Sequence, residues 1–378
     1  MSKLWRICLP RAPLLARRSS AQFHFGSANP AFFDNRLYGT ATYRGQNNNK
    51  SSNNITLIGT GTIGLSWCAV HLRDPTNRIT IYDPREDLLP YIKSLLPLYL
   101  SASPTTSSTA AQSVETLLSN GTITLAKTLE AACTPETHIL QEQSPENPLS
   151  KQAVWSSIAP LLPETCHLWT STSGIPASTQ AQGLSASAKA RLLVVHPFNP
   201  PHILPLIEIV PSPDTSADEV AFAMDYWKGR EGHAPILVKK ETKGFVANRL
   251  AFALFREACK LVADGVVGVK EVDQALEESL GVRWAVKGPF ASYNDGGGEG
   301  ANGGMKGLFR KVGGTIDEVW EDGMGGSEGL KEGWEDVVVK QTEEAYGGVT
   351  KSALQERDRT TLRVLEVRGE ERAKARKE

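Results

Sequence analysis

The sequence predicts an α/β protein in which a doubly wound, mainly parallel β-sheet is followed by a smaller all-helical domain. Three observations lead to this prediction. Short β-branched runs alternate with helical segments from Ile55 to about residue 240, which is typical of parallel sheets covered by helices. The first run leads directly into a glycine-rich turn and then a helical segment. From Phe245 onwards, apolar residues recur at helical spacing.

Length and composition narrow the class of protein. The chain of 378 residues is long enough for two domains, each with its own core. A formal net charge of -1 gives no electrostatic reason to expect a nucleic acid or a membrane surface as partner. The five cysteines are scattered without a CxxC pair, so we expect reduced structural residues of an intracellular protein and no metal site. No apolar run is long enough to span a bilayer.

Residues 1–54 differ in composition from the rest of the chain. Up to residue 33 they include no acid and five basic residues, which are Lys3, Arg6, Arg11, Arg17 and Arg18. This composition favours a mitochondrial presequence over a secretory signal, because there is no uninterrupted apolar core. Pro10 and Pro13 weaken the amphipathic helix that such a presequence needs. The alternative is a disordered basic extension of a cytoplasmic protein, and in either case the folded part is expected to begin near Ile55.

A glycine motif follows the first predicted strand. Gly59, Gly61 and Gly64 occupy the glycine positions of a G-x-G-x-x-G turn. The first glycine permits a tight turn, the second lets the backbone approach a pyrophosphate, and the third lets the following helix pack against the strand. Thr62 and Ile63 lie between the second and third glycines, and the helical-looking segment that follows Gly64 would turn its amides and dipole towards the phosphates. These five residues are the predicted cofactor-binding turn.

A second strand supports a dinucleotide site of the Rossmann type. It runs from Arg78 and ends in Asp83, nineteen residues past Gly64, where a carboxylate binds the hydroxyls of the adenosine ribose. A carboxylate there repels a 2′-phosphate, so the sequence favours NAD over NADP. Arg85 is the feature against this preference, because an arginine accepts that phosphate.

Further strands extend the predicted NAD-binding domain over residues 55–240. One strand runs from Thr137 to Glu142, which places this acid at a carboxyl end, where ligands bind in parallel sheets. Another begins at His167 and opens into a turn that contains Ser173. A serine in a glycine-containing turn is often structural, but its position at a strand's carboxyl edge makes it a candidate for the site.

Val194 to Val210 pairs an imidazole with a carboxylate. His196 ends one apolar run, a turn begins at Asn199, and Glu208 lies in the returning run. A two-strand return would let Glu208 reach the imidazole and set its tautomer and basicity. We therefore interpret His196 as a general base and Glu208 as the carboxylate that orients it. A buried histidine bonded to a structural glutamate is the alternative at this point.

Five motifs in one order carry a family resemblance. They are GTGTIG, LQEQSPEN, TSTSGI, HPFNPPHILPLIEIV and KGFVANRL, and they lie between Ile55 and Phe290. Together they resemble the L-3-hydroxyacyl-CoA dehydrogenase superfamily, which also contains L-gulonate 3-dehydrogenase and lambda-crystallin. The resemblance implies oxidation of a secondary alcohol, with NAD as the hydride acceptor.

The resemblance also implies a role for individual residues. His196 and Glu208 would form the catalytic pair, and Ser173 and Asn248 would hold the reacting 3-oxygen. Asn199 would support the substrate site. Glu142 would lie near the nicotinamide ribose.

The substrate is predicted from two further observations. Glu86 to Ala126 contains one basic residue, Lys93, which is poor ground for holding the phosphates of an acyl-CoA. Arg283 stands where the lambda-crystallin and gulonate branch has a similar segment with an arginine, which can bind a carboxylate. We therefore expect a small L-3-hydroxy acid, similar to L-gulonate. A 3-hydroxyacyl-CoA is the alternative substrate, and an inactive NAD-binding structural protein is the alternative from another class.

Residues 241–350 are predicted to form the helical domain, and residues 351–378 a charged helical tail. The predicted helices are Phe245 to Ala263, Val269 to Leu280, Thr315 to Trp320, Trp334 to Tyr346 and Ser352 to Glu378. Asn294 to Gly304 contains six glycines and is predicted to be a loop. The resemblance implies that this domain contacts the substrate and makes the protein a homodimer.

Overall fold

The computed structural model describes residues 53–102, 112–230, 232–298, 304–323 and 351–375. The predicted leader up to residue 52 and the predicted helix from Trp334 to Tyr346 lie outside these ranges. The strands are β1 Asn54–Ile58, β2 Arg78–Tyr82, β3 Ile123–Leu125, β4 Ile139–Glu142, β5 His167–Thr170, β6 Leu192–Pro197, β7 Leu206–Pro211 and β8 Ala234–Leu237.

Helices connect these strands and continue beyond them. Those of the sheet region are α1 Thr62–His71, α2 Leu88–Ser101, α3 Val114–Ser119, α4 Leu129–Ala132, α5 Pro148–Ile158, α6 Ala177–Gln180, α7 Ala186–Arg191 and α8 Ala217–Lys228. Those that follow are α9 Ala247–Ala263, α10 Val269–Ala275, α11 Val282–Val286, α12 Pro289–Gly296, α13 Gly304–Gly323 and α14 Lys351–Ala375. A π-helical segment, Leu276–Gly281, joins α10 to α11.

The strands form one sheet in the order β3-β2-β1-β4-β5-β6-β7-β8. Strands β6 and β7 are antiparallel, and all other neighbours are parallel. The chain moves outwards from β1 to β3 and then returns to β4 on the other side of β1. In sheets of this kind, ligands bind where the strand order reverses, beyond the carboxyl ends of the strands. The predicted doubly wound α/β class with a helical region after it is confirmed.

Alternate residues of the central strands supply two apolar layers, one on each face of the sheet. Leu193 and Val195 of β6 pack with α1, α2, α3 and α8. Leu192 and Val194 of the same strand pack on the other face with α5, α6 and α7. Because both faces are covered by helices, the strands are apolar almost throughout, as parallel sheets require.

The predicted loop from Asn294 to Gly304 is only partly correct. Residues 294 to 296 form the last turn of α12, and residues 299–303 lie outside the described ranges. Pro289 occupies the first turn, which favours helix initiation, and the Ser292 amide donates to the Gly288 carbonyl oxygen at 3.0 Å. The helix ends within the run of glycines, where Gly298 has a φ of 88°, a backbone conformation that glycine adopts readily.

A buried histidine at the end of α1 makes the fold sensitive to acid. His71 is fully buried, its Nδ1 lies 2.9 Å from the Tyr226 hydroxyl oxygen, and its Nε2 lies 2.9 Å from Gln141 Oε1. Burial lowers the pKa of His71 from 6.5 to about 3, although the hydrogen bond with Gln141 opposes this shift. The imidazole is therefore neutral in the folded protein at physiological pH.

We expect His71 to reduce the free energy of unfolding as the medium becomes acidic. Because the folded pKa lies below the unfolded value of 6.5, the unfolded chain binds the proton first, and stability falls from about pH 6.5 towards pH 3. Between pH 6 and pH 5 this histidine should cost about 1 kcal/mol. Denaturant titrations of the wild type and of His71→Gln at both pH values measure the difference. An equal loss in both proteins would contradict the assignment.

Candidate active site

The imidazole of His196 and the carboxylate of Glu208 face each other across two paired strands. In the register of β6 and β7, His196 stands directly opposite Glu208. The Nδ1 atom lies 2.7 Å from Oε2, and the two residues are 5% and 0% exposed. The predicted two-strand return is therefore present, and it brings the two groups together.

Backbone amides at the start of α9 complete the environment of the Glu208 carboxylate. Its Oε1 accepts hydrogen bonds from the amides of Val246 at 2.8 Å and Ala247 at 3.0 Å. Burial raises the pKa of this carboxyl, but the hydrogen bonds from His196, Ala247 and Val246 outweigh it and hold the pKa below 4.5. An ionised Glu208 requires the His196 proton on Nδ1. The Nε2 atom then carries the lone pair that can accept a proton from a ligand.

Phe245 sets the direction in which these amides point. This residue was predicted to begin the helix, but it lies before α9 with a φ of 51°, in the left-handed region. It is buried, and its ring centroid lies 5.3 Å from that of the His196 imidazole. The turn at Phe245 thus packs against the base and directs the following amides at Glu208.

Ser173 and Asn248 also meet, although they are far apart in the sequence. The Asn248 side-chain amide donates to the Ser173 carbonyl oxygen at 3.0 Å. Ser173 is exposed and follows β5, the strand that pairs with β6. The two predicted oxygen-holding residues therefore lie together, with Ser173 beyond the carboxyl end of β5 and Asn248 in the first turn of α9. Their contact with a substrate oxygen stays a prediction.

The two predicted substrate-binding residues are placed differently. Asn199 is exposed in the turn that follows β6, where its peptide bond to Pro200 is cis. Arg283 is exposed on α11 and lines a recess of about 330 Å³ with Lys287 and Asp295. Within the described ranges, none of its contacts joins it to His196. Its role in binding the substrate stays a prediction.

The predicted position of Glu142 beside the nicotinamide ribose is corrected by its burial. The residue is fully buried, and its oxygens lie 2.9 and 3.0 Å from the Nζ atom of Lys151, which is also buried. The hydroxyls of Thr170 and Ser144 also donate to this carboxylate. A buried charge needs such partners, and the hydrogen bonds of this carboxylate are all made within the protein. Its position at the end of a strand did not reveal these contacts.

Glu146, four residues later, is the acid that reaches the Ser173 turn, a role that was not predicted from its sequence position. Its Oε1 accepts from the Thr172 hydroxyl at 2.5 Å, the Ser173 amide at 2.8 Å and the Gly174 amide at 3.1 Å. Its side chain is 44% exposed, and Oε2 lies 3.7 Å from Lys151 Nζ. Its place between a strand end and the Asn147 cap of α5 was the only available sequence signal.

The glycine turn lies at the point where the strand order reverses. Gly59 has a φ of 89°, and a methyl group on it would lie 2.9 Å from the Gln143 carbonyl oxygen, so this position requires glycine. The Asp83 carboxylate follows β2 and accepts from the Thr60 amide at 2.6 Å and from its hydroxyl at 3.0 Å. The predicted acid and the turn are therefore adjacent.

The crevice above this turn fits a dinucleotide. Apart from its chain neighbours, no atom of the described residues lies within 4 Å of a methyl group built on Gly61, which stands at the amino terminus of α1. Both polar atoms of the Gln143 amide are buried without a hydrogen-bond partner among the described residues, beside Gly64. The Arg85 guanidinium is occupied by Asp87 at 2.8 Å. The space, the helix terminus and the Gln143 amide suit a pyrophosphate, while Asp83 suits a ribose hydroxyl.

Neither a metal site nor a membrane-spanning helix is found among the described residues. No group of His, Cys, Asp and Glu side chains among them could hold a metal ion. None of their helices is both long enough and apolar enough to cross a membrane.

The fold and the site together define an NAD-dependent dehydrogenase that acts on a CH–OH group. The NAD binding domain of 3-hydroxyacyl-CoA dehydrogenase matches residues 54–242, and the C-terminal domain of the same family matches residues 244–324. The chain belongs to the 3-hydroxyacyl-CoA dehydrogenase family.

Similar proteins agree with this family. L-carnitine dehydrogenase of Streptomyces coelicolor is 33% identical over 316 residues, which are 83% of this chain and 94% of that protein. A 3-hydroxyacyl-CoA dehydrogenase of Gibberella moniliformis is 31% identical over 271 residues, 71% of this chain and 79% of that protein. The crystal structure of 5-formyl-3-hydroxy-2-methylpyridine 4-carboxylic acid 5-dehydrogenase, an NAD+-dependent dismutase, superposes with a TM-score of 0.66 at 26% identity. The superposition covers 84% of this chain and 99% of the dehydrogenase chain.

Proposed function

We propose that this protein oxidises the 3-hydroxyl group of a small L-3-hydroxy carboxylic acid to the 3-keto acid. The observation that carries the proposal is the pairing of His196 Nδ1 with the ionised Glu208, which leaves Nε2 as the proton acceptor. NAD, when bound, supplies the acceptor for the hydride that leaves the carbinol carbon.

His196 removes the hydroxyl proton in this mechanism. Its Nε2 accepts the proton while the C–H bond breaks, and the imidazolium that forms is stabilised by the carboxylate 2.7 Å from Nδ1. Glu208 stays ionised throughout because two backbone amides and the imidazole hold its charge. In the reverse direction the same nitrogen returns the proton to the alkoxide.

Ser173 and Asn248 hold the reacting oxygen in the proposed mechanism. The Ser173 hydroxyl belongs to an exposed side chain beyond β5, and the Asn248 amide lies beside it. Hydrogen-bond donors fixed in this way stabilise the negative charge that develops on oxygen as the proton leaves.

A free acid is favoured over an acyl-CoA by the charges around α2 and α3. Lys93, the one basic residue between Glu86 and Ala126, lies 3.1 Å from Glu115. The one basic side chain of this segment is therefore already paired with a carboxylate. Little positive charge is left there to bind the phosphates of an acyl-CoA. The relatives named L-carnitine dehydrogenase support the same choice, since carnitine is itself a 3-hydroxy carboxylate. L-carnitine and L-gulonate are the first substrates to test.

Two cations are candidates for binding the substrate carboxylate. Arg283 is the one that the resemblance implies. Lys243 is the second. The backbone of Gly244 lies close to the Ser173 turn, since a methyl group built on Gly174 would lie 3.3 Å from the Gly244 amide nitrogen. Lys243 directly precedes Gly244 and therefore lies beside this turn. Lys243 is exposed, and its long flexible stem gives it reach.

Two features outside the chemistry also remain proposals. We propose import into mitochondria from the basic composition of the first 33 residues, with a cytoplasmic location as the alternative. We also propose a homodimer, which large exposed apolar side chains on α9 and α13 support: Leu250, Phe252, Phe255, Phe309 and Trp320.

We expect NADH formation from a free L-3-hydroxy acid to exceed that from a 3-hydroxyacyl-CoA. L-carnitine, L-gulonate, L-3-hydroxybutyrate and a 3-hydroxyacyl-CoA should be assayed side by side, and kcat/KM for the best free acid should be at least about tenfold higher than for the ester, a difference of about 1.4 kcal/mol. Turnover of the ester alone would overturn the choice of substrate but leave the family's chemistry intact.

The carboxylate contact provides the control for this experiment. Arg283→Ala and Lys243→Ala are compared on the same substrates. Replacing the residue that binds the carboxylate should raise KM for the acid by about tenfold and leave KM for the ester nearly unchanged. An equal effect on acid and ester would exclude that residue as the carboxylate contact.

A further inference from the structure

Glu146 holds the Ser173 turn from the side opposite Asn248. The carboxylate accepts from three consecutive residues of the turn, the Thr172 hydroxyl, the Ser173 amide and the Gly174 amide, at 2.5, 2.8 and 3.1 Å. The Asn248 side chain donates to the Ser173 carbonyl oxygen at 3.0 Å. Both backbone polar groups of Ser173 are therefore fixed, while its hydroxyl is left for a ligand.

The position of Glu146 is in turn fixed by a buried cation. Lys151 is 1% exposed, and its Nζ lies 2.9 Å from Glu142 and 3.7 Å from Glu146. It also donates to the Ser144 carbonyl oxygen at 3.1 Å, at the start of the segment that carries Glu146. One lysine thus anchors two carboxylates. The first lies within the sheet, and the second faces the turn.

The turn also has hydrogen bonds of its own, from the Gly174 amide to the Thr172 hydroxyl at 3.3 Å and from the Thr172 amide to the Thr170 hydroxyl at 3.4 Å. The Thr172 hydroxyl accepts from the Ile175 amide at 3.0 Å, and it donates to Glu146. A hydrogen-bond acceptor at Glu146 is needed for this arrangement, since without it the Ser173 amide would lose its partner. A small displacement of a group that holds the reacting atoms can reduce turnover by about 100-fold.

We propose that Glu146 is the positioning residue that holds the Ser173 hydroxyl in its place for the oxidation. The inference rests on the proposed function, because it assigns Ser173 to the reacting oxygen. Glu146 acts through hydrogen bonds that its carboxylate accepts, and its effect on turnover passes through Ser173.

The test is a double-mutant cycle between Glu146 and Ser173 on the full chain. We expect Glu146→Leu to lower kcat by about 10- to 100-fold in the wild type and by less than about threefold in the Ser173→Ala background. Glu146→Gln keeps an acceptor oxygen and should stay within about threefold of the wild type. Glu164→Leu, at an exposed glutamate before the other end of β5, is the matched control and should leave kcat unchanged.

A second readout does not depend on the substrate. Amide hydrogen exchange of the peptide from Ser171 to Pro176 should accelerate in Glu146→Leu and stay unchanged in Glu164→Leu, at equal melting temperatures. Equal losses of kcat in both backgrounds, a Gln variant as impaired as the Leu variant, or unchanged exchange would overturn the proposal. If the wild type oxidises none of the tested hydroxy acids, the proposed substrate fails, and the exchange measurement alone decides the role of Glu146.

Discussion

Replacing His196 by alanine should lower kcat by about 10²- to 10⁴-fold, the range that a positioned general base contributes. The imidazole is the group whose Nε2 is left without a proton, because its Nδ1–H group donates a hydrogen bond to Glu208 Oε2, 2.7 Å away. Without it, the hydroxyl proton must leave to water while the hydride departs. Steady-state NADH formation from the best substrate measures the loss.

The control for this prediction is a variant that keeps the imidazole and changes its partner. Glu208→Gln removes the negative charge beside Nδ1, so the imidazolium that forms when His196 accepts the proton is less stabilised. The value of kcat should then fall although the imidazole is still present, while NAD binding to both variants should match that of the wild type. If His196→Ala turns over as fast as the wild type, the mechanism is wrong.

Much of this site follows from patterns of sequence spacing. The strand period and the turn between His196 and Glu208 predicted that the two side chains would meet, because antiparallel strands joined by a short return set opposite residues side by side. The glycine turn and Asp83 were predictable for a similar reason. Both features depend on contacts between residues that adjacent strand ends bring together.

The roles of the two glutamates after β4 could not be assigned from spacing. Glu142 is the last residue of β4, Glu146 lies four residues further on, and only the position of Lys151 decides which carboxylate is paired inside the protein. That position depends on the packing of α5 against the sheet. The order of residues along the chain does not contain this information. Glu142 was therefore predicted to bind the cofactor, and no role was predicted for Glu146.

Phe245 illustrates a second limit. Its apolar side chain fits the helical pattern of the residues after it, which predicted that the helix would begin there. The chain instead takes a left-handed turn at this residue, with a φ of 51°. The cost of that conformation is offset by tertiary contacts, namely burial of the ring beside His196 and the two amides that bind Glu208.

The second large effect is expected at two glycines of the cofactor turn, where the same substitution should have opposite consequences. An alanine methyl at Gly64 would lie 1.9 Å from the Gly59 carbonyl oxygen. That contact is with backbone, so the turn must open, and the variant should be destabilised by about 3 kcal/mol or more even without NAD. At Gly61 a methyl meets no atom within 4 Å, and the backbone is extended with φ at -63°.

Gly61→Ala should therefore fold like the wild type but lose NAD affinity by about 100-fold, because its methyl occupies the space assigned to the pyrophosphate. Melting temperatures without NAD and calorimetric titrations with NAD separate the two variants. Normal NAD binding by Gly61→Ala would mean that the pyrophosphate lies elsewhere. Normal stability of Gly64→Ala would mean that helix α1 can move away from β1. The expected pair of results is a stable Gly61→Ala variant that binds NAD weakly and an unstable Gly64→Ala variant. Together these results would support both the open space above Gly61 and the close packing at Gly64.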